Sequence, residues 1–564
     1  AAMADANPES ELARLLPQFK RWYSQAGTPV VKADGSYDAE ARRYTLKLSQ
    51  SCPATPGQPV KALFVIPIRL GLVGADGRDL PLKLAPDAPA SEGSLTCVLS
   101  EAETTLTFHD VDSAPVPSLL RGFSAPVALD IDTTPEQLLH LLAHDSDPFN
   151  RWEAGQQLGL RTAIEHIVGG ADSASARPLT EAYVAALRTV LRDPQLDAAF
   201  KTLVLTLPGE DYIAEQLDAV DPQRIHAVRD AMEAQLAADL AADWQWAWTQ
   251  CHDTGAYRPD PVSAGKRALA GLALRMLCLA ARGSNDPVWP GKAYQRVKDA
   301  GNMTDRLNAL EALVRAGHEL AGPALARFYA LFRHEALALD KWFALQALAP
   351  DRAGNVLPQV RELLQHADFN LRNPNRARSL VFSYCHRNPA AFHRHDASGY
   401  VFWADRVLEL DPINPQIAAR LARALDRWAS LAEPYRGAAR EAIARVAARP
   451  ELSKDVREVV TRALGDLGVA AGWTFNRGTV LPAAERYFAQ LGTGPVEVEV
   501  SNSFAVRPRL RVYYDTPSRV SFTGSVGVAF LDPEVTLRSG GRSLTLDRSL
   551  TAVTLEAGLL FALF

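Results

Sequence analysis

The chain has 564 residues, of which 47% are apolar and 22% charged, and its formal net charge is −5. This length is too great for one hydrophobic core, so several domains are predicted. A slightly acidic chain lacks the basic face that nucleic-acid binding requires, which excludes nucleic acid as an expected partner.

The pattern of apolar residues changes once within the first 130 residues, after residue 26. Residues 1–26 are predicted to be helical, because Leu15, Leu16 and Phe19 recur at helical spacing. In residues 27–130, short runs with alternating apolar positions are separated by turn clusters such as Gly74-Ala-Asp-Gly-Arg78. Short strands with frequent turns predict a β-sandwich of about 100 residues.

Residues 131–467 are predicted to be helical throughout. Apolar residues fall on one helix face at Ile225, Val228 and Met232. Asp-Pro pairs are candidate helix starts, because Asp caps free backbone N–H groups and Pro suits the first turn. They begin at Asp147, Asp193, Asp221, Asp260, Asp286 and Asp411. Their spacing is irregular, but a stack of helix pairs forming an all-α superhelical solenoid fits this segment.

Residues 468–564 show a different alternation. Phe504 and Val506 alternate with Arg507 and Arg509, and Gly540-Gly541 joins two further alternating runs. This pattern predicts an antiparallel β meander with strands of about 10–12 residues. Such strands, and the terminal Phe564, resemble the last strands of an outer-membrane barrel, with an ordinary soluble β domain as the alternative. Membrane contact is therefore expected only through this tail.

Cysteine usage indicates the compartment. The five cysteines are odd in number and widely spaced: Cys52, Cys97, Cys251, Cys278 and Cys385. This favours free thiols in a reducing environment, and hence a cytoplasmic protein. The sequence contains no run of about 18 uninterrupted apolar residues, so no transmembrane helix is predicted. The opening residues Ala-Ala-Met-Ala-Asp-Ala read as the middle of a helix, so we expect the chain to be cut from a longer protein.

Several longer motifs occur in one order along the chain. They are Arg21–Pro29, Pro115–Leu120, Phe123–Pro126, Asp147–Glu153, Asn302–Asp305, Asp340–Phe343, Asn373–Ser379 and Asn388–Phe392. In this order they resemble the C-terminal half of the proteobacterial aminopeptidase N family, the alanyl aminopeptidases among the gluzincin zinc metallopeptidases. The resemblance covers about residues 1–467 and leaves the tail unexplained.

The resemblance implies a domain plan. Residues 1–26 would end the catalytic domain, 27–130 would form an Ig-like β-sandwich, and 131–467 would form a helical superhelix that caps the active site. Residues 468–564 would be a β-rich tail outside the family. The chain would then be the non-catalytic part of a monomeric enzyme that removes N-terminal residues from peptides, with peptides reaching it through the parent catalytic domain.

The family's zinc motif, His-Glu-x-x-His, is missing. Two histidines at i and i+4 share a helix face and can bind one metal ion, with the Glu as general base. His334-Glu335 and His318-Glu319 are the nearest matches, and each lacks the second His. We therefore expect no catalytic residue and no metal ligand in this chain, with zinc only in the parent enzyme.

The resemblance also implies that Arg378, Gln416 and Arg420 line the substrate channel. A guanidinium can hold a peptide carboxylate or carbonyl through a fork of donors. Gln416 and Arg420 are four residues apart and share a helix face. The alternative is that all three are exposed helix residues in ion pairs.

Two further alternatives remain. His386, His393, His395 and Asp396 form a histidine cluster, but a loop between helices with solvated side chains fits better than a metal site. At the level of function, the rival to the aminopeptidase is a helical-repeat scaffold that binds peptides or proteins without catalysis.

Overall fold

The computed structural model describes residues 5–169, 177–252 and 255–465, and the backbone of six strands between residues 497 and 560. The chain divides into two compact units, Ala1–Leu467 and Gly468–Phe564. Two short helices, Glu11–Phe19 and Arg21–Ser24, precede the first strand. Trp22 Nε1 donates to the carbonyl of Val65 at 2.9 Å, which fastens these helices to the following β-domain.

The β-domain is a sandwich of two sheets. Its strands are β1 (Val30–Asp38), β2 (Arg43–Ser51), β3 (Ile66–Val73), β4 (Leu95–Leu99), β5 (Glu103–Phe108), β6 (Val116–Leu119) and β7 (Ala128–Ile131). One sheet has the order β5-β2-β1-β7 and the other β4-β3-β6. Leu46 and Leu48 are fully buried while Lys47 between them is exposed, as the period of two requires. The predicted sandwich is confirmed.

A buried arginine joins this sandwich to the helices. Arg121 has a side chain only 3% exposed. It pairs with Asp79 of the sandwich at 2.8 Å and with Asp145, which ends the first helix after the sandwich, at 3.1 Å. A second bond crosses the same junction, because Asp147 accepts from the backbone N–H of Gly122 at 2.8 Å.

The rest of the first unit is a stack of helices around a continuous apolar core. Its first half contains Pro135–His144, Pro148–Val168, Glu181–Arg192, Ala198–Val204, Glu210–Ala214, Pro222–Asp239, Ala241–Cys251, Pro261–Ser284, Val288–Asp299 and Met303–Ala316. Its second half contains Ala321–Phe332, Ala336–Ala347, Val356–Leu363, Pro374–Ala377, Ser383–Arg387, Pro389–Phe392, Ser398–Leu410, Pro415–Ala422, Tyr435–Ala447 and Lys454–Gly465. The predicted all-α segment is confirmed.

The stack curls back on itself. Val220, between two helices of the first half, forms a parallel bridge with Leu431 in the second half. The Val220 N–H donates to the carbonyl of Ser430, and the Ala432 N–H donates to the carbonyl of Val220, both at 2.8 Å. Segments about 200 residues apart in sequence therefore meet, which is the closure expected of a curved helical stack.

Only some of the Asp-Pro pairs begin helices. Asp147, Asp221 and Asp260 are side-chain caps followed by Pro in the first turn. The prediction is wrong for Asp193 and Asp411, which end helices. A proline favours an extended backbone at the residue before it, and Asp193 has a ψ of 117°, which ends the helix. At Asp411 the carboxylate instead accepts from the backbone N–H of Ser453 at 2.8 Å.

The second unit contains antiparallel strands, as predicted. They are β8 (Glu497–Val500), β9 (Leu510–Asp515), β10 (Ser521–Leu531), β11 (Glu534–Ser539), β12 (Arg542–Asp547) and β13 (Leu550–Leu560). They form two sheets, β13-β10-β9 and β12-β11-β8. The alternation at 504–509, the Gly540-Gly541 turn and Phe564 lie outside the described residues. None of the helices among the described residues combines the length and the apolar composition of a membrane span.

Candidate substrate-channel surface

The Asn373–Ser379 motif forms a capped helix start followed by an irregular turn. The Asn373 side chain accepts from the backbone N–H of Asn375 at 3.0 Å, and Pro374 occupies the first turn. After Ala377 the chain widens into a π-helical segment, Arg378–Phe382. Such segments are rare and often occur at functional sites.

The two arginines of this motif have opposite environments. Arg376 is buried, pairs with Asp340 at 2.7 Å and lies 5.2 Å from the centre of the Phe343 ring. Arg378 is exposed, and the one hydrogen bond of its side chain within the described residues is long, 3.5 Å from Nη1 to the side-chain oxygen of Asn375. Arg376 therefore stabilises the segment, while Arg378 keeps its donors available.

Gln416 and Arg420 lie on a second capped helix, Pro415–Ala422. The Asn414 side chain accepts from the backbone N–H of Ile417 at 3.2 Å and starts this helix. Ile417 and Leu421 are buried against the core, whereas Gln416 and Arg420 are exposed. Their spacing of four residues places them on one face.

Neither Arg378 nor Arg420 has a carboxylate partner within the described residues. Some other arginines of this half of the stack are paired, such as Arg394 with Asp396 at 2.9 Å and Arg445 with Asp405 at 2.7 Å. Exposure of the three predicted residues is thus observed, but the ion pairs of the alternative interpretation are not. No hydrogen bond or ion pair in the described part connects Arg378 with Gln416 or Arg420.

His386 lies between the two segments. Its ring stacks on Phe382 of the π-helical segment, with centroids 5.3 Å apart and an interplanar angle of 18°. Burial lowers the pKa of His386, and an interaction with the backbone of Arg420 opposes this shift. His386 is therefore a neutral imidazole next to the helix that bears Gln416 and Arg420.

The other members of the histidine cluster each bind a different partner and not one another. His393 Nδ1 lies 2.8 Å from the Tyr400 hydroxyl, and His395 Nε2 lies 2.9 Å from the Tyr435 hydroxyl. Asp396 instead pairs with Arg394. Burial lowers the pKa of His393 to about 4, so this side chain is neutral near pH 7.

The residues present do not fit a zinc ion. Over the residues with described side chains, no group of three or more His, Cys, Asp or Glu is placed to hold a metal. His318 uses Nδ1 to accept from the backbone N–H of Leu320 at 3.1 Å. His334 Nε2 lies 3.2 Å from Arg333 Nε. Neither has a second His one turn later, so no chemical step is assigned to a metal in this chain.

Two features of this surface could not be predicted from the sequence pattern. The two arginines of the Asn373–Ser379 motif could not be assigned separate roles, because burial of Arg376 depends on Asp340 and Phe343 far along the chain. The sequence did not indicate that His386 contacts the helix that bears Arg420, because this contact depends on how the helices stack.

Comparison with known proteins is consistent with this architecture. Residues 27–132 match the family described as a domain of unknown function (DUF3458) with an Ig-like fold, and residues 135–465 match the one described as DUF3458_C ARM repeats. The chain is 37% identical over 449 residues to aminopeptidase N of Escherichia coli K12 and 35% identical over 449 residues to that of Haemophilus influenzae. Each alignment covers 80% of this chain and 50% of the relative.

The chain is also similar to a solved structure, with the same coverage of both chains. The crystal structure of Legionella pneumophila aminopeptidase A in complex with aspartic acid matches with a TM-score of 0.65 and 25% identity, covering 80% of this chain and 50% of that one. The chain thus spans about half the length of the curated relatives it matches. The resemblance indicated by the motifs is confirmed: the chain belongs to the family defined by these Ig-like and ARM-repeat domains, and bacterial aminopeptidase N is among its relatives.

Proposed function

We propose that this chain supplies the cap and the substrate channel of an aminopeptidase that removes N-terminal residues from peptides. The observation that carries the proposal is the set of exposed donors at Arg378, Gln416 and Arg420, which have no ion pairs in the described part of the chain. Guanidinium groups bind carboxylates through two parallel hydrogen bonds, and a side-chain amide can bind a peptide carbonyl.

The proposal assigns the hydrolytic zinc to a domain outside this chain, because the residues described here do not fit one. It also places the protein in the cytoplasm as a monomer, with any membrane contact limited to residues 468–564. Support for the compartment comes from the cysteines: all five are free thiols, as is usual in a reducing environment.

A scaffold that binds peptides without catalysis is the second candidate. It is favoured by one observation, the lack of a His-Glu-x-x-His motif in a chain built largely of stacked helices. Both candidates require peptide binding, and they differ in whether that binding contributes to hydrolysis.

Peptide binding is tested on the chain itself by calorimetric titration with tetra-alanine. We expect binding to weaken at least about tenfold in an Arg378→Ala, Arg420→Ala double variant, because each lost hydrogen bond to a charged group costs about 1.5–3 kcal/mol. Arg440→Ala is the matched control, since Arg440 is an exposed arginine on the helix Tyr435–Ala447. Equal affinities in all variants would remove the support for a channel at these residues.

A further inference from the structure

A cavity of about 340 Å³ lies where the first and second halves of the helical stack meet. Its walls come from the helix Glu210–Ala214, the start of Pro222–Asp239, the segment 385–393 and the turns Arg423–Leu425 and Trp428–Ser430. Small-molecule sites have volumes of about 300–1,000 Å³, so this cavity suits a ligand with few heavy atoms. None of Arg378, Gln416 and Arg420 lines it.

One wall of the cavity is acidic and incompletely paired. Glu210 Oε1 lies 2.7 Å from His226 Nδ1, while Glu210 Oε2 is buried without a hydrogen-bond partner in the described structure. Asp211, the next residue, has no ion pair in the described structure. Desolvation, together with the charge of Glu210, raises the pKa of Asp211. Glu210 is paired with His226, so Asp211 is the carboxylate of this wall that an ammonium group would pair with.

Another part of the lining offers a free guanidinium. Arg423 is exposed and has no ion pair or side-chain hydrogen bond among the described residues. The second arginine of the lining, Arg427, is engaged with Glu215 at 2.7 Å. Arg423 is therefore the donor that remains for a carboxylate, which a guanidinium can bind with two hydrogen bonds.

Part of the remaining lining is apolar. It includes Val220, Ile225, Leu425, Trp428 and Leu431. The Trp428 indole donates to the carbonyl of Ala463 at 3.1 Å, which fixes the position of its ring. An aliphatic group placed against these side chains would be removed from water, which favours binding.

We propose that this cavity binds a free α-amino acid with an apolar side chain. The ammonium group lies against Glu210 and Asp211, the carboxylate against Arg423, and the side chain against the apolar wall. Neighbouring atoms cover Glu210 Oε2, so Asp211 meets the ammonium group directly and Glu210 adds negative charge behind it. The proposal does not depend on the channel, because it uses none of the same residues.

The charge requirement is tested with three ligands of one shape. L-Leucine, 3-methylbutylamine, which lacks the carboxylate, and 4-methylpentanoate, which lacks the amine, are titrated calorimetrically into the full chain. We expect L-leucine to bind one site per chain, and each single-charge analogue to bind at least about tenfold more weakly. Absence of saturable L-leucine binding, or equal binding of either analogue, would overturn the proposal.

The location is tested with charge-neutralising variants. Glu210→Gln and Arg423→Gln should each weaken L-leucine binding at least about tenfold, and the exposed control Arg440→Gln should leave it unchanged. Because Glu210 also holds His226, Asp211→Asn is the second acidic variant and disturbs no described side-chain bond. Unchanged L-leucine affinity in Asp211→Asn and Arg423→Gln, with the circular-dichroism spectrum intact, would place the ligand elsewhere and sink the proposal.

Discussion

Arginine side chains stabilise the fold at some positions of this chain and remain available for binding at others. Arg121 and Arg376 are buried and paired with carboxylates, whereas Arg378 and Arg420 are exposed without such partners in the described residues. Removing a buried partner leaves an uncompensated charge, while removing an exposed one costs little stability. The two kinds therefore differ in what their substitution should change.

Arg121→Met tests the role of a buried arginine that is paired with a carboxylate. The Asp145 side chain is fully buried, and the variant leaves it without its cation. We expect the free energy of unfolding to fall by about 3–5 kcal/mol, the usual cost of breaking a buried pair. Urea unfolding followed by circular dichroism measures it. Arg78→Met is the control, because Arg78 and Asp76 are both exposed and 4.0 Å apart, so it should change stability by less than about 0.5 kcal/mol. Equal losses in both variants would contradict the role given to Arg121.

At the scale of single elements, the close contact at the start of the helix Ser398–Leu410 depends on a glycine. A Cβ atom at Gly399 would overlap the backbone carbonyl oxygen of Phe392, and neither atom can move without shifting a helix. Gly291, in the helix Val288–Asp299, has no neighbour within 4 Å of such a Cβ. The same substitution should therefore have opposite effects at the two positions.

We expect Gly399→Ala to lower the free energy of unfolding by about 1–3 kcal/mol, as overpacking does. Gly291→Ala should raise it by up to about 1 kcal/mol, because alanine loses less backbone entropy in a helix. Both values come from urea denaturation of the purified variants. A Gly399→Ala variant as stable as the parent chain would show that the two helices can separate without cost.

The helix starts show how far local sequence determines an element. Asp221 and Asp260 cap helices as their Asp-Pro pairs predict, because capping depends only on the neighbouring backbone N–H groups. Asp193 and Asp411 carry the same pair but end helices. At Asp411 the deciding contact is with Ser453, which is 42 residues away. Such contacts are set by tertiary packing, which a local pattern does not contain.

For the whole molecule, the order of a sandwich, a helical stack and a β-rich tail could be predicted from periodicity. The period of two in residues 27–130 and the period near 3.6 in 131–467 reflect which faces are buried. The cavity could not be predicted, because Glu210 and Arg423 are more than 200 residues apart and meet only where the stack closes at Val220 and Leu431.

The most direct test of the proposed channel measures kcat/KM for tri-alanine in a chimaera that joins this chain to the half of Escherichia coli aminopeptidase N that it does not cover. With hydrolysis established, the Arg378→Ala, Arg420→Ala double variant should lower kcat/KM about 10- to 100-fold, since each lost contact with substrate weakens transition-state binding. Arg440→Ala should leave it unchanged. Equal kcat/KM in the double variant and the parent chimaera, with both folded, would contradict the account and leave these residues as surface alone.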